Sequence, residues 1–305
     1  MAPDVLKLSW RAGGRGDWVI FRKIRSRSEV TLSVGSSELP NKNGRIQFFW
    51  ESAGENIPSF YEAASTRYYF ECERYLFERY FPDLNSKALL KTDVWDEAKN
   101  TRILLWAARD KGAQPYGLDI SSTIVRQARQ SFIENKVRSR FIVSDMRAIG
   151  FQDGAFDCLY SMGTCEHFPE YRAALAECYR VLKPGGTAII GVPNRHDPFL
   201  RPLQVAAFNG LGLYAYGFEK SFSIRQLEDM LQDIGFQPQA RTGILFMPGA
   251  LRMLDLFLYV NWPWTARAMR PLIWPFARLY RRFDALKRMG YLVASVVRKP
   301  GRHGD

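Results

Sequence analysis

From about residue 88 onward, short apolar runs alternate with longer segments whose hydrophobic residues recur every three or four positions. Ala88–Leu90 together with Val94 reads as a first strand, Gln114–Ile120 as a second and Phe141–Val143 as a third. Phe156–Ser161 makes a fourth and Thr187–Val192 a fifth. Between them Ile103–Lys111, closed by Gly112, then Ile124–Lys136 and Arg172–Leu182, carry helical spacing. A helix at Ile224–Ile234, a strand near Gln239–Phe246 and a last strand, Tyr291–Val297, complete the series. Short strands that are apolar throughout need cover on both faces, so helices should cross over between parallel neighbours. The expected fold class is α/β: a doubly wound, mostly parallel seven-stranded sheet.

Ahead of this region, Pro58–Phe81 places Tyr69, Cys72, Leu76 and Tyr80 on one helical stripe, and Pro82 ends it. Residues 1–57 read as an N-terminal extension. Alternation at Asp17–Ile24 and Ser28–Val34 suggests strands, while Gly13–Gly16 and Gly35–Gly44 suggest turns or loops. The expected organisation is a main domain of residues 58–247 and 289–300, with 248–288 as an apolar, basic helical lid inserted between the last two strands.

A chain of 305 residues, 47% hydrophobic, can bury a sizeable core. Its formal charge of +12 suits nucleic acid, an anionic membrane or an acidic substrate, so the position of the charge has to decide. Cys72, Cys158, Cys165 and Cys178 form no C-x-x-C pair, and with only three histidines no metal site is expected. Reduced thiols and an N-terminus without an apolar run after its first basic residues point to the cytoplasm. The longest apolar stretch, Ile244–Pro275, is interrupted by Arg252, Asp255, Arg267 and Arg270 and does not read as a membrane span.

In open α/β sheets ligands bind beyond the carboxyl ends of the strands, so the strand ends should carry the chemistry. The second strand ends in Gly117-Leu118-Asp119-Ile120-Ser121 and the third in Ser144-Asp145-Met146. The fourth runs on through Met162-Gly163-Thr164-Cys165-Glu166-His167, and Tyr179–Gly186 turns into the fifth. In this order and spacing, "GLDIS", "SDM", "FDCLYSMGTCEHF" and "YRVLKPGGTAIIGVPN" resemble the class I S-adenosylmethionine-dependent methyltransferases, which have a Rossmann-like fold. The resemblance implies S-adenosylmethionine as cofactor. It also implies that Asp119, with Ile120 beside it, accepts the ribose hydroxyls, that Asp145 takes the adenine amine beside Met146, and that Met162 and Gly163 lie along the cofactor.

The first junction departs from that pattern. The family has a glycine-rich turn there, whereas this chain has Lys91-Thr92-Asp93-Val94-Trp95-Asp96-Glu97-Ala98-Lys99-Asn100-Thr101, without a glycine. Counting back from Asp119 puts Asn100-Thr101-Arg102 at the end of the family's glycine turn, and Asn tolerates positive φ better than most residues. Asp93, Asp96 or Glu97 is then the candidate for the methionine amino group, with Lys91 and Thr92 at the same turn. A site that has lost its cofactor is the competing reading. A dehydrogenase would need the missing glycines even more, because its pyrophosphate sits on the helix N-terminus.

In the family fold the segment after the fifth strand, the insertion and Pro58–Phe81 all lie over the active face. Leu251–Arg288 carries eight Arg or Lys against Asp255 and Asp284, half of the chain's excess charge, interleaved with Trp, Leu and Phe. That pattern suits a lid on the core, or a lid that also meets an anionic membrane or lipid-like substrate. Nucleic acid is disfavoured, because large aliphatics separate the cations. His167, with Glu166, is the first general-base candidate and His196 the second, while Tyr214 and Tyr216 are candidate pocket residues. The expected activity is methyl transfer to O, N or C of a small, hydrophobic or lipid-like acceptor. A sugar-like polar acceptor, or a non-catalytic scaffold binding a partner or membrane, is the alternative.

Overall fold

Strand residues point alternately to the two faces of a sheet, and here both faces are apolar. The computed structural model describes residues 42–210 and 219–301. It contains β1 (Ala88–Lys91), β2 (Gln114–Asp119), β3 (Arg140–Val143), β4 (Phe156–Met162), β5 (Leu182–Pro193), β6 (Gln237–Ile244) and β7 (Leu292–Arg298). They form one seven-stranded sheet in the order β3-β2-β1-β4-β5-β7-β6, parallel except for β7. Leu89, Tyr160 and Ile189 bury into one layer; their neighbours Leu90, Leu159 and Ile190 bury into the other.

The helices are α1 (Lys42–Asn56), α2 (Ala64–Tyr80), α3 (Trp95–Lys99), α4 (Ile103–Lys111), α5 (Ser122–Glu134) and α6 (Tyr171–Val181). After β5 come α7 (Arg201–Gly210) and α8 (Ile224–Ile234), and between β6 and β7 lie α9 (Gly249–Asn261), α10 (Thr265–Arg282) and α11 (Asp284–Lys287). The first layer holds α2, α4, α5 and the inner side of α10; the second holds α6 and α8. Strand order reverses between β1 and β4, and there the carboxyl ends diverge to leave a cleft.

Three departures from the sequence pattern matter for that cleft. Helix α1 occupies residues read as extension and loop; the strands expected at Asp17–Ile24 and Ser28–Val34 lie outside the described residues. Helix α2 begins at Ala64, not Pro58, because the preceding residues are tied elsewhere. The Phe60 N–H donates to the Lys99 carbonyl (2.6 Å) and the Tyr61 hydroxyl to that of Ala98 (2.5 Å). Finally, the glycine-free junction folds as α3, and Val94 packs across β2. Gly117 makes that approach possible, since a Cβ there would stand 2.4 Å from the Val94 Cγ1.

Candidate functional site

The cleft is built at the ends of β1, β2 and β4. Strand β1 ends in Lys91, a fully buried lysine. Its ammonium donates to the Asp93 carbonyl (2.9 Å), the Asp93 Oδ1 (3.1 Å) and the Asp96 Oδ2 (2.9 Å). Burial alone would depress the Lys91 pKa, but Asp93, Asp96 and Glu73 outweigh it and hold it above the usual range. Glu73, from α2, is buried and pushed far up by desolvation, with Asp96 adding to the effect. The Tyr160 hydroxyl donates to its Oε1 at 3.0 Å. Asp93 also accepts from the Thr164 hydroxyl (2.7 Å), and the Thr92 hydroxyl donates to Ser161 (2.8 Å), so β1 and β4 are pinned together at the cleft floor.

Glu97 plays a different part from the one its position suggested. Its carboxylate accepts the N–H groups of Leu104 (2.8 Å) and Leu105 (3.3 Å), occupying the N-terminus of α4. Desolvation raises its pKa to about 7, against the opposing pull of Lys91. A carboxylate supplied from within the chain thus fills the anion-binding end of this helix. The left-handed residue of the turn is Arg102 (φ 57°), not Asn100 (φ −127°). The Arg102 guanidinium lies 3.6 Å from the centre of the Tyr61 ring, and that contact holds the turn without glycine.

Asp119 closes β2. Its Oδ1 accepts the Ser121 N–H (2.9 Å) and its Oδ2 the Val94 N–H (3.3 Å). Desolvation lifts its pKa to about 7 in spite of these bonds. Ile120, Ser144 and Met146 line the cleft beside it, while Met162 and Gly163 (φ 78°) line it from β4. Asp145 is turned away: its carboxylate chelates the Arg147 guanidinium (2.6 Å), which in turn reaches Glu170 (2.7 Å). Of the residues expected at the cofactor, Thr92, Asp93, Asn100, Asp119, Ile120, Met146, Met162 and Gly163 line the cleft; Lys91 and Glu97 support it from beneath; Asp145 does neither.

Glu166 and His167 lie in a 3-10 turn over the cleft. Burial, reinforced by Glu219, pushes the pKa of the Glu166 carboxyl far up. His167 meets Trp50 edge to face at 4.9 Å, and Trp50 meets Trp95 at 5.9 Å. His196 is exposed and outside the cleft, with its backbone N–H given to the Asn194 side chain (2.9 Å). Cys165 is buried with its thiol pKa raised by desolvation, which leaves it inert. Tyr214 and Tyr216 lie outside the described residues.

The sequence reading missed several lining residues. Trp50 comes from α1, whose docking on α5 depends on Glu51 capping Ser122 and Thr123, a contact that no periodicity reveals. Arg201 and Glu219 form a buried pair (2.5 Å) stacked on Tyr291. Arg252, Met253 and Leu256 reach in from α9. The basic, apolar composition of the insertion was the only available hint to that last group.

Residues 99–190 match a family model described as a methyltransferase domain. The chain is 34% identical over 105 residues to the 2-methyl-6-phytyl-1,4-hydroquinone methyltransferase of a Synechocystis species, covering 34% of this chain and 32% of the relative. It is 34% identical over 87 residues to the demethylmenaquinone methyltransferase of Thermus thermophilus, covering 28% and 40%. A ubiquinone biosynthesis O-methyltransferase of a Chelativorans species is 28% identical over 142 residues, covering 45% and 55%. The chain therefore spans between a third and just over half of the length of these curated relatives. Among solved structures, the (4+2)-cyclase SpnF superposes with a TM-score of 0.54 at 18% identity, covering 84% of this chain and 93% of that one. The methyltransferase partner of the Haloferax volcanii Trm112 activator gives 0.54 at 16% identity, covering 84% and 96%. Likeness at such identities establishes the fold, and the cyclase among the matches means that the reaction must be argued from the site.

Proposed function

For a chain that belongs to the class I S-adenosylmethionine-dependent methyltransferase family, we propose methyl transfer to a small hydrophobic acceptor of the prenylated phenol or hydroquinone kind. The observation that carries this reading is a pair of buried polar atoms of opposite sense in the cleft wall. Among the described residues, the Asn100 Oδ1 is an acceptor without a donor, and the Arg252 Nη1 a cationic donor without an acceptor. Leaving either unpaired costs roughly 1–3 kcal/mol, more for the charged one. Together they suit the ammonium and carboxylate of an amino-acid zwitterion, which is the methionine end of the cofactor. Asp119 would take the ribose hydroxyls, and Ile120, Ser144 and Met146 would flank the adenine. Asp93 and Asp96 keep that end of the cleft negative, which favours a sulfonium.

S-adenosylmethionine, when bound, supplies an already activated methyl group, so the protein's work is to position the acceptor and exclude water. Trp50, Trp95, Met253 and Leu256 form the apolar wall for the acceptor. The names of the three relatives, all of quinone or hydroquinone methyltransferases, agree with such a wall. His167, beside Trp50 on the cleft wall, is the candidate to accept a proton from a phenolic hydroxyl. Replacing His167 by asparagine should lower kcat about a hundredfold or more on an oxygen acceptor, within the usual range for a general base, and leave cofactor affinity unchanged. Equal loss of both would reduce His167 to a packing residue.

Calorimetry with S-adenosylhomocysteine across pH 6–8 tests the reading. A charged Asp119 accepts from the ribose, and the proton it holds below about pH 7 competes with that bond. Affinity should therefore rise with pH through about 7 and then level off, with a proton released on binding at pH 6.5. Failure to bind at any pH would leave the non-catalytic scaffold as the better account.

A further inference from the structure

Helix α10 has two apolar stripes where a lid packed on a core needs only one. The inner stripe, Ala266, Met269, Ile273, Ala277 and Tyr280, is buried against α2 and the sheet. The outer one, Ala268, Leu272, Pro275 and Leu279, follows the spacing i, i+4, i+7, i+11 and points into solvent. At the corner leading from α9 into α10, Trp262 and Trp264 are 44% and 70% exposed, and on α10 Trp274 is 58% exposed. Most of the exposed large hydrophobic residues among those described fall between Leu254 and Met289.

Arginines flank this strip. Arg267, Arg270, Arg278 and Arg282 are exposed and, among the described residues, have no acidic side chain within ion-pairing distance; Arg281 pairs with Glu71. Arg278 lies over the Trp274 ring at 5.2 Å, so cation and aromatic share one level. No described helix is long and apolar enough to cross a membrane. We propose that the outer face of α10, with the Trp262–Trp264 corner, docks the protein on an anionic lipid surface. Tryptophans would sit at headgroup level, the Leu272–Leu279 stripe below them and the guanidinium groups among the lipid phosphates.

Charge selects this occupant over a second copy of the chain. A two-fold interface would set the same cluster of arginines against itself, with no acidic residues in the strip to answer it. Nucleic acid fits poorly too, because Leu272, Trp274 and Leu279 separate the cations. The preceding helix α9 lines the cleft with Met253 and Leu256, so the docked face and the acceptor wall belong to one insertion. Docking itself does not depend on the methyl-transfer reading.

The test is flotation of the full chain with vesicles of phosphatidylcholine alone or containing phosphatidylserine. The protein is expected in the top fraction only with phosphatidylserine, and less of it as salt is raised. Reversing Arg267, Arg270 and Arg278 to Glu should lower partitioning by about a hundredfold or more, given roughly fivefold for each cation removed. Trp264→Ser with Trp274→Ser should weaken partitioning onto the phosphatidylserine vesicles even at low salt, and S-adenosylhomocysteine affinity of all variants should match the parent, which reports an intact fold. Recovery in the bottom fraction with anionic vesicles would overturn the proposal. So would a concentration-dependent dimer that Trp274→Ser dissolves, since the face would then be covered by a second copy.

Discussion

Replacing Asp119 by alanine is expected to weaken S-adenosylhomocysteine binding by about a hundredfold or more. Each hydrogen bond to a charged carboxylate contributes roughly 1.5–3 kcal/mol, and two ribose hydroxyls would share this one. Alanine also removes the acceptor of the Val94 and Ser121 N–H groups, so part of the loss would come from a looser α3 junction. Asp119→Asn separates the two contributions. It keeps the shape and one acceptor oxygen, and should recover binding only in part. Stability should move differently. The folded-state pKa of Asp119, about 7, lies above that of an unfolded aspartate, so its contribution is fully present in acid and is lost as pH rises through about 7. The alanine variant should therefore lose less stability, relative to the parent, at pH 8 than at pH 5. Calorimetry that finds the Asp119→Ala affinity equal to the parent's would remove Asp119 from the cofactor site.

How much of this was legible in the sequence depends on the range of the interactions. Strands such as Gln114–Asp119 and Phe156–Met162 are buried over most of their length on both faces, and that burial is written locally as short, mostly apolar runs such as Cys158-Leu159-Tyr160. The parallel core, and the placing of Asp119 at a strand end, followed from it. Helix α1 did not, because Ile46, Phe48, Phe49 and Trp50 are clustered instead of periodic, and Phe48 is 73% exposed. Its hold on the fold comes from Glu51 reaching α5, a contact more than seventy residues away in sequence. The first junction was misread for a related reason. Glycine-free geometry was expected to rest on Asn100, but the Tyr61 ring stabilises the left-handed Arg102 from outside the motif. Asp145 resembled a ligand until Arg147, two residues on, took both its oxygens. A strand-end carboxylate is thus free for a ligand only when the next turn supplies no cation, and "SDMR" could have been read that way.

Replacing Lys91 by methionine is expected to cost roughly 3–5 kcal/mol of stability, the range for removing one partner of a buried ion pair. The side chain has no exposed surface, and Asp93, Asp96, Glu73 and Glu97 all act on it. Without it, Glu73 and Glu97, whose pKa values burial already raises, lose the cation that counters that rise. Protonation is their cheapest escape. In the variant the pKa values of Glu73 and Glu97 would rise further, so these carboxyls would stabilise the fold in acid and lose that contribution as pH climbs. The gap between parent and variant should accordingly be widest at pH 8 and narrow towards pH 5, which urea unfolding at the two pH values would measure. Adding Asp96→Asn should restore part of the loss, because the amide keeps the shape and the Asn100 contact while removing a charge. A Lys91→Met midpoint unchanged at pH 8 would mean that the acidic cluster is already neutral. In that event the negative potential invoked for the sulfonium end of the cleft would be absent, and cofactor binding would rest on Asp119, Asn100 and Arg252 alone.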